Sequence, residues 1–256
     1  MEEPMKKAEQ ACEVTEPGQI PEPKVTRKKL FLPSEPVYLF ALAVLALAVS
    51  MTAAADFGVS MIVAPAYLFS MKIPALTFGQ SEYVLQGVLF VLFCLLMRRF
   101  RPIYLVSFVT CLLYGLILDG WRLWIPLLNP AVTEPGSMHI AIRILLLFGG
   151  MTLTSFSIAL LFNVYIYPQV YDFFVKGLAE RYRLNRSHFK TGFDFTCLAV
   201  SIILSYAFFG KLVGVGFGTI LMTLLNGVLI GLFDRLFTRF FDIRPLFPKL
   251  AKKFDV

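Results

Sequence analysis

Charge is scarce in this chain. Only 16% of its 256 residues are Asp, Glu, Lys or Arg, and many of these crowd into the first 35 positions. A soluble domain is about a quarter charged. The remainder, 57% hydrophobic overall with a mean hydropathy of +0.72, needs lipid as its solvent. Histidine is nearly absent: His139 and His188 lie far apart and build no zinc, haem or triad arrangement. Of four cysteines, Cys12 falls in the N-terminal stretch, and Cys94, Cys111 and Cys197 fall inside apolar runs. None has the spacing of a metal site or a disulfide framework, so the last three read as packing residues. There is no serine elbow, no paired-carboxylate constellation and no HExxH. Gly214, Gly216 and Gly218 alternate without the Lys-Ser/Thr pair of a phosphate loop. These gaps predict no enzyme, no catalytic residue, no metal and no cofactor. The net charge of +7 points to no nucleic acid either, because the basic residues cluster at the ends of apolar runs.

What the chain has is six apolar runs, at about 37–55, 83–97, 103–119, 140–162, 195–212 and 216–237. Each approaches the length that crosses a bilayer. The expected fold is an all-α integral membrane domain of six transmembrane helices over 36–241. Residues 1–35 precede it as a disordered cytoplasmic tail rich in Glu, Lys and Pro. Residues 242–256 follow as a basic cytoplasmic tail. The long charged leader argues against a signal peptide cleaved at Ala53-Ala54-Ala55. With both termini inside, only Lys72, Arg122, Arg143 and Lys211 fall outside, leaving 20 of the 24 basic residues on the cytoplasmic side. Gly227 and Gly231 have the spacing of a close helix contact.

The first apolar run is followed by a stretch, 56–80, that is neither a clean span nor an ordinary loop. A second stretch of this kind, 163–190, follows the fourth run. Laid over each other, 37–124 and 140–241 match in layout: Pro65 falls on Pro168, Phe78 on Phe189, and Tyr114-Gly115 on Asn226-Gly227. Units of three spans must face opposite ways, which predicts an inverted 3+3 repeat with a ligand site at its interface. Pro65, Gly79, Pro168, Gly214 and Gly218 are the expected helix breaks. Polar residues near or within spans mark an expected substrate or ion pathway: Asp56, Glu82, Gln86, Tyr114, Asp119, Asn163, Tyr165, Thr223 and Asn226. Each also has a plainer reading. Asp119 and Arg122 have i,i+3 pairing geometry, and Asn226 has the position of an interhelical hydrogen bond. Asp172, Lys176 and Glu180 read as a solvated face of an amphipathic inner helix over about 170–183.

Several motifs look familiar. Ala55-Asp56-Phe57-Gly58-Val59-Ser60, Thr77-Phe78-Gly79, Arg98-Arg99-Phe100-Arg101-Pro102 and Tyr114 to Asp119 resemble the bacterial YczE/YyaS/YitT-type membrane proteins. So do Tyr165 to Asp172, Phe189-Lys190-Thr191 and Gly214 to Thr219 with Asn226-Gly227. The resemblance covers nearly everything after the tail and is nearest to an uncharacterised DUF6198-like branch. It implies a multi-pass protein of the bacterial inner membrane and carries over no functional residue.

Two functions compete. One is a small-molecule transporter or permease subunit, with a cavity between spans one, three, four and six lined by Asn226, Tyr114, Asn163 and the breaks. The other is a non-transporting membrane protein that binds a partner at its cytoplasmic face through Lys176, Arg181, Arg183 and the tail.

Overall fold

A computed structural model describes residues 30–98, 104–134, 136–166 and 169–246. A short strand, β1 (Leu30–Pro33), runs directly into α1 (Ser34–Ala55). Then come α2 (Ala64–Lys72), α3 (Phe78–Met97), α4 (Tyr104–Trp124), α5 (Ile140–Phe162), α6 (Val170–Arg181), α7 (Arg186–Phe209) and α8 (Phe217–Phe240), and finally β2 (Phe241–Arg244). Every helix except α2 and α6 is long and apolar enough to cross a membrane, six in all. The protein is therefore helical and multi-pass. Apart from the helices, β1 pairs in parallel with β2, from Leu30 opposite Phe241 to Pro33 opposite Arg244. Strands of four residues are too short for alternation to reveal them.

α1 and α5 form the centre. Ala41, Leu42, Ala46 and Ala48 of α1 are completely buried. A Cβ added at Gly150 of α5 would come within 2.8 Å of the Ala48 carbonyl oxygen, so the two backbones nearly touch. α4 packs on α1, where the Trp121 indole N–H donates to the Ala43 carbonyl (3.0 Å). α8 lies along α5, and α3 along α4.

The glycines do less breaking than expected. Gly79 is inside the first turn of α3, where a Cβ would lie 2.2 Å from the Gly115 carbonyl oxygen of α4. Its role is close approach. α3 starts five residues before the apolar run because Thr77 and Gln80 form a capping box: each side chain accepts from the other's backbone N–H, at 3.0 and 3.1 Å. Gly218 is likewise inside the first turn of α8, whereas Gly214 does sit in the linking turn, at φ +70°. Pro65 opens α2, where its missing N–H costs nothing. Pro168 lies outside the described residues. Gly227 and Gly231 meet no neighbour within 4 Å, which corrects the expected close contact.

Contacts at the helix ends establish which ends share a side. At one side, Arg143 near the start of α5 donates to the Ala55 carbonyl at the end of α1 (2.9 Å). There too Asp119 of α4 accepts from the Gly79 N–H of α3 (2.9 Å), and Lys72 of α2 donates to the Phe208 carbonyl of α7 (3.0 Å). At the other side, Glu35 in the first turn of α1 accepts from the Tyr165 hydroxyl after α5 (2.9 Å). It also accepts from the Leu246 N–H after β2 (3.0 Å).

Candidate functional site

The two short helices reach the interior from opposite sides. The Val170 N–H at the start of α6 donates to Gln86 Oε1 of α3 (3.2 Å). Further along, Phe173 packs on Phe93 with ring centres 4.7 Å apart, and the Tyr182 hydroxyl reaches the Leu96 carbonyl. Gln86 lies about 12 Å along α3 from Phe78. α6 thus starts deep and runs outward beside the second half of α3. The helix is amphipathic: Tyr171, Phe173, Phe174, Val175 and Leu178 are buried on one face, while Asp172 on the other pairs with Lys190 of α7 (3.7 Å) and Glu180 is exposed. α2 mirrors it on α7. Its Phe69 packs on Phe208 (5.6 Å) and its Lys72 donates to the Phe208 carbonyl near the end of α7, so α2 runs out at the opposite side.

The segment before α2 is held in the interior by backbone pairing with the α7–α8 turn. Val59 N–H donates to the Gly214 carbonyl (3.0 Å), Gly218 N–H to the Phe57 carbonyl (2.7 Å), and the Thr219 hydroxyl to the Val59 carbonyl (2.8 Å). Gly58, at φ +100°, leaves no space for a Cβ, which would meet Thr219 Oγ1 at 2.5 Å. The alternating glycines at 214–218 thus serve close backbone approach.

The starts of α2 and α6 meet at a partly open cavity of about 80 Å³. Ser60 and Val63 line it from one side of the break, Gln169 and Asp172 from the other. Leu45 and Val49 of α1, Tyr114 of α4, Thr154 of α5 and Met222 of α8 close the walls. Its volume suits a handful of waters or one small solute, on the order of five waters. Two buried polar atoms of the lining, Thr154 Oγ1 and Gln169 Nε2, have no hydrogen-bond partner. A helix start carries a partial positive charge, so the site combines unspent donors, two helix starts and one carboxylate.

Beside the cavity is a second polar cluster. Glu82 and Gln86 of α3 are fully buried. Glu82 Oε2 accepts from the Gln86 amide and from the Tyr171 hydroxyl, both at 3.0 Å. Cys111 Sγ lies 3.9 Å from the Glu82 carbonyl, and Glu82 Oε1 has no partner.

The other expected pathway residues are dispersed. Asp56 faces a larger recess of about 640 Å³ near Lys211 and lies 3.6 Å from Arg143. Burial pushes its carboxyl up by more than Arg143 and Lys211 pull it down. Asp119 lines a recess of about 380 Å³ and accepts from Thr77 and Gly79; Arg122 instead lies over the Phe78 ring (5.2 Å), so the expected Asp119–Arg122 pair does not form. Thr77 and Gly79 are closer donors. Asn163 donates to Asp234 of α8 (2.7 Å). Burial and Glu35 push the Tyr165 hydroxyl up to about 12. Asn226 accepts from Ser155 of α5 (3.3 Å), and Thr223 donates to its own helix. Neither Asn226 nor Asn163 lines the cavity. Arg181 and Arg183 are exposed at the end of α6, and Lys176 is partly buried.

Residues 33–235 match the profile of a family described as being of unknown function, DUF6198. This chain belongs to DUF6198. No curated protein and no solved structure matches it.

Of the expected pathway residues in this DUF6198 member, Tyr114 lines the cavity and Glu82 and Gln86 are enclosed beside it; Ser60, Thr154, Gln169 and Tyr171 were not among those expected. Gln169 had a signal, since it directly follows Pro168 in the second broken stretch. Thr154 had none, because a lone threonine in an apolar helix usually bonds its own backbone.

Proposed function

We propose that this protein is a small-molecule membrane transporter or permease subunit, built as an inverted 3+3 repeat with both termini cytoplasmic. It would sit in a bacterial inner membrane beside the YczE/YitT-type proteins. The observation that carries this reading is a cavity on which two short helices converge from opposite sides. Broken helices meeting at a repeat interface are a recurrent plan for ligand sites in transporters. Reciprocal packing supports the repeat: α2 packs on α7 as α6 packs on α3, and α1 packs on α4 as α5 packs on α8. The orientation is supported by Lys72, Arg122 and Arg143, which lie at the same side of the bundle, with Lys211 beside Asp56.

The test is a thermal-shift screen of detergent-purified protein against pooled metabolites and cations. A ligand bound only by the folded state stabilises it by about 2.7 kcal/mol at a hundredfold excess over its Kd. A shift that disappears in Gln169→Leu and Thr154→Val supports the cavity. No shift on a broad panel, or one that survives both substitutions, removes this reading. The partner-binding alternative draws on exposed Arg181 and Arg183. It predicts that reversing their charge abolishes capture of a partner while cavity substitutions do not.

A further inference from the structure

Glu82 is the one acid completely enclosed among the described residues. Among the described residues, the groups that contact it are neutral. From α4 it meets Cys111 and Tyr114; from α6, Tyr171; on its own helix, Gln86. No Lys or Arg forms an ion pair with it among the described residues. An ionised carboxylate in such a site has no counter-charge, and removing it from water is costly. The hydrogen bonding has the same lopsidedness. Both donors, Tyr171 and Gln86, point at Oε2, while Oε1 is buried and unpartnered. Of the two oxygens, Oε1 is thus the one with room to carry the hydrogen of a carboxylic acid.

Glu82 also stands between two water-accessible regions. One turn ahead of it is Gly79, whose N–H is held by Asp119 on the wall of the 380 Å³ recess. On the other side, Tyr114 and Asp172, the residue after Tyr171, line the central cavity. We propose that Glu82 is an exchangeable proton site and that the proton is the coupling ion of this protein, an inference that rests on the transport reading above. A hydronium ion on the Asp119 side gives up one O–H bond and becomes water, as an O–H bond forms at Oε1 and neutralises the carboxylate. Breaking that bond toward the cavity returns the proton to water and leaves the carboxylate on the Tyr171 and Gln86 donors. Nothing is oxidised or reduced, and no metal is required.

The experiment is infrared spectroscopy of the full chain in lipid vesicles, with no solute added. The expected result is a protonated-carboxyl stretching band near neutral pH that weakens on alkalinisation and shifts when water is replaced by heavy water. The band is absent in Glu82→Gln and unchanged in Glu180→Gln, an exposed acid. Should Glu82→Gln fail to fold, Tyr171→Phe serves instead: losing one donor to Oε2 moves the band. Absence of any such band, its persistence in Glu82→Gln, its indifference to Tyr171→Phe, or its failure to exchange in heavy water overturns the proposal. The measurement needs no transported solute. An exchanging Glu82 band alongside a blank ligand screen leaves the proton site standing and removes the transport reading.

Discussion

Arg143 ties the end of α1 to the start of α5, and replacing it should cost more than removing its acidic neighbour. Its Nε donates to the Ala55 carbonyl and its Nη2 to the Asp56 carbonyl, both at 2.9 Å. These are among the last carbonyls of α1, which have no partner within the helix. The guanidinium also lies 4.4 Å from the centre of the Phe57 ring. A hydrogen bond from a charged donor is worth roughly 1.5–3 kcal/mol. Two at the lower figure give about 3 kcal/mol for Arg143→Gln, a fall in Tm of about 6–12 °C in a chain of this size. The ion pair is a different matter. Asp56 is 3.6 Å from Arg143, and its side chain is 39% exposed, so the pair itself contributes little. Burial raises the Asp56 carboxyl despite both nearby cations. A group whose folded value is raised gives stability that is present at low pH and is lost as pH climbs through that value. Asp56→Asn should therefore leave Tm unchanged or raise it at neutral pH, and should flatten the loss above the ordinary carboxylate range. Thermal unfolding in detergent, followed across pH, reads both. The reasoning is refuted if Arg143→Lys, which keeps the charge and loses the fork, unfolds like the wild type. It is equally refuted if Asp56→Asn costs as much as Arg143→Gln.

Other substitutions probe the remaining joints. Gly79→Ala should lower stability by about 1–3 kcal/mol in the same unfolding assay, because its Cβ would lie 2.2 Å from the Gly115 carbonyl oxygen. Gly120→Ala, where nothing lies within 4 Å, should be neutral or stabilising by about 0.5–1 kcal/mol. Asn226→Ala should cost only about 0.6 kcal/mol, the usual worth of one interhelical hydrogen bond in a membrane. Glu35→Gln should loosen the segment after β2, seen as faster limited proteolysis near Leu246, because both oxygens of Glu35 accept from its N–H.

The membrane character and the six spans were legible because hydropathy alone decides them. Boundaries were legible only where polarity changed abruptly. α5 begins and ends where expected, at Ile140 and Phe162, with His139 and Asn163 as caps. α4 instead continues past Asp119 and Gly120 to Trp124, because Trp121 finds the Ala43 carbonyl and repays the longer helix. The early start of α3 had a sequence signature in Thr77 and Gln80 that an apolar-run criterion passes over. At the site, the Glu82–Gln86 spacing placed both on one face of α3. Their partner Tyr171 is 89 residues away from Glu82, and no local pattern encodes such a contact. The Asp119–Arg122 expectation failed for the same reason, since the winning donors came from another helix.

What hydropathy cannot do in a membrane is distinguish inside from outside. α1 and α8 are both strongly apolar, yet 61% of the α1 span is buried and only 11% of the α8 span. Lipid tails are as apolar as leucine, so apolarity gives a helix no reason to choose protein over lipid. Close packing supplies the reason, and it needs small residues on both partners at one level. α1 has this: Ala48 faces Gly150 of α5, close enough that a single Cβ there would collide with its carbonyl oxygen. α8 has Gly227 and Gly231, but a Cβ at either would meet nothing within 4 Å among the described residues. The halves differ in the same way elsewhere. α3 packs along α4 through Gly79 and Gly115, whereas α7 and α8 do not pack extensively on each other among the described residues. A small residue in a span is therefore half of a contact, and only a matched pair turns an apolar helix into a central one.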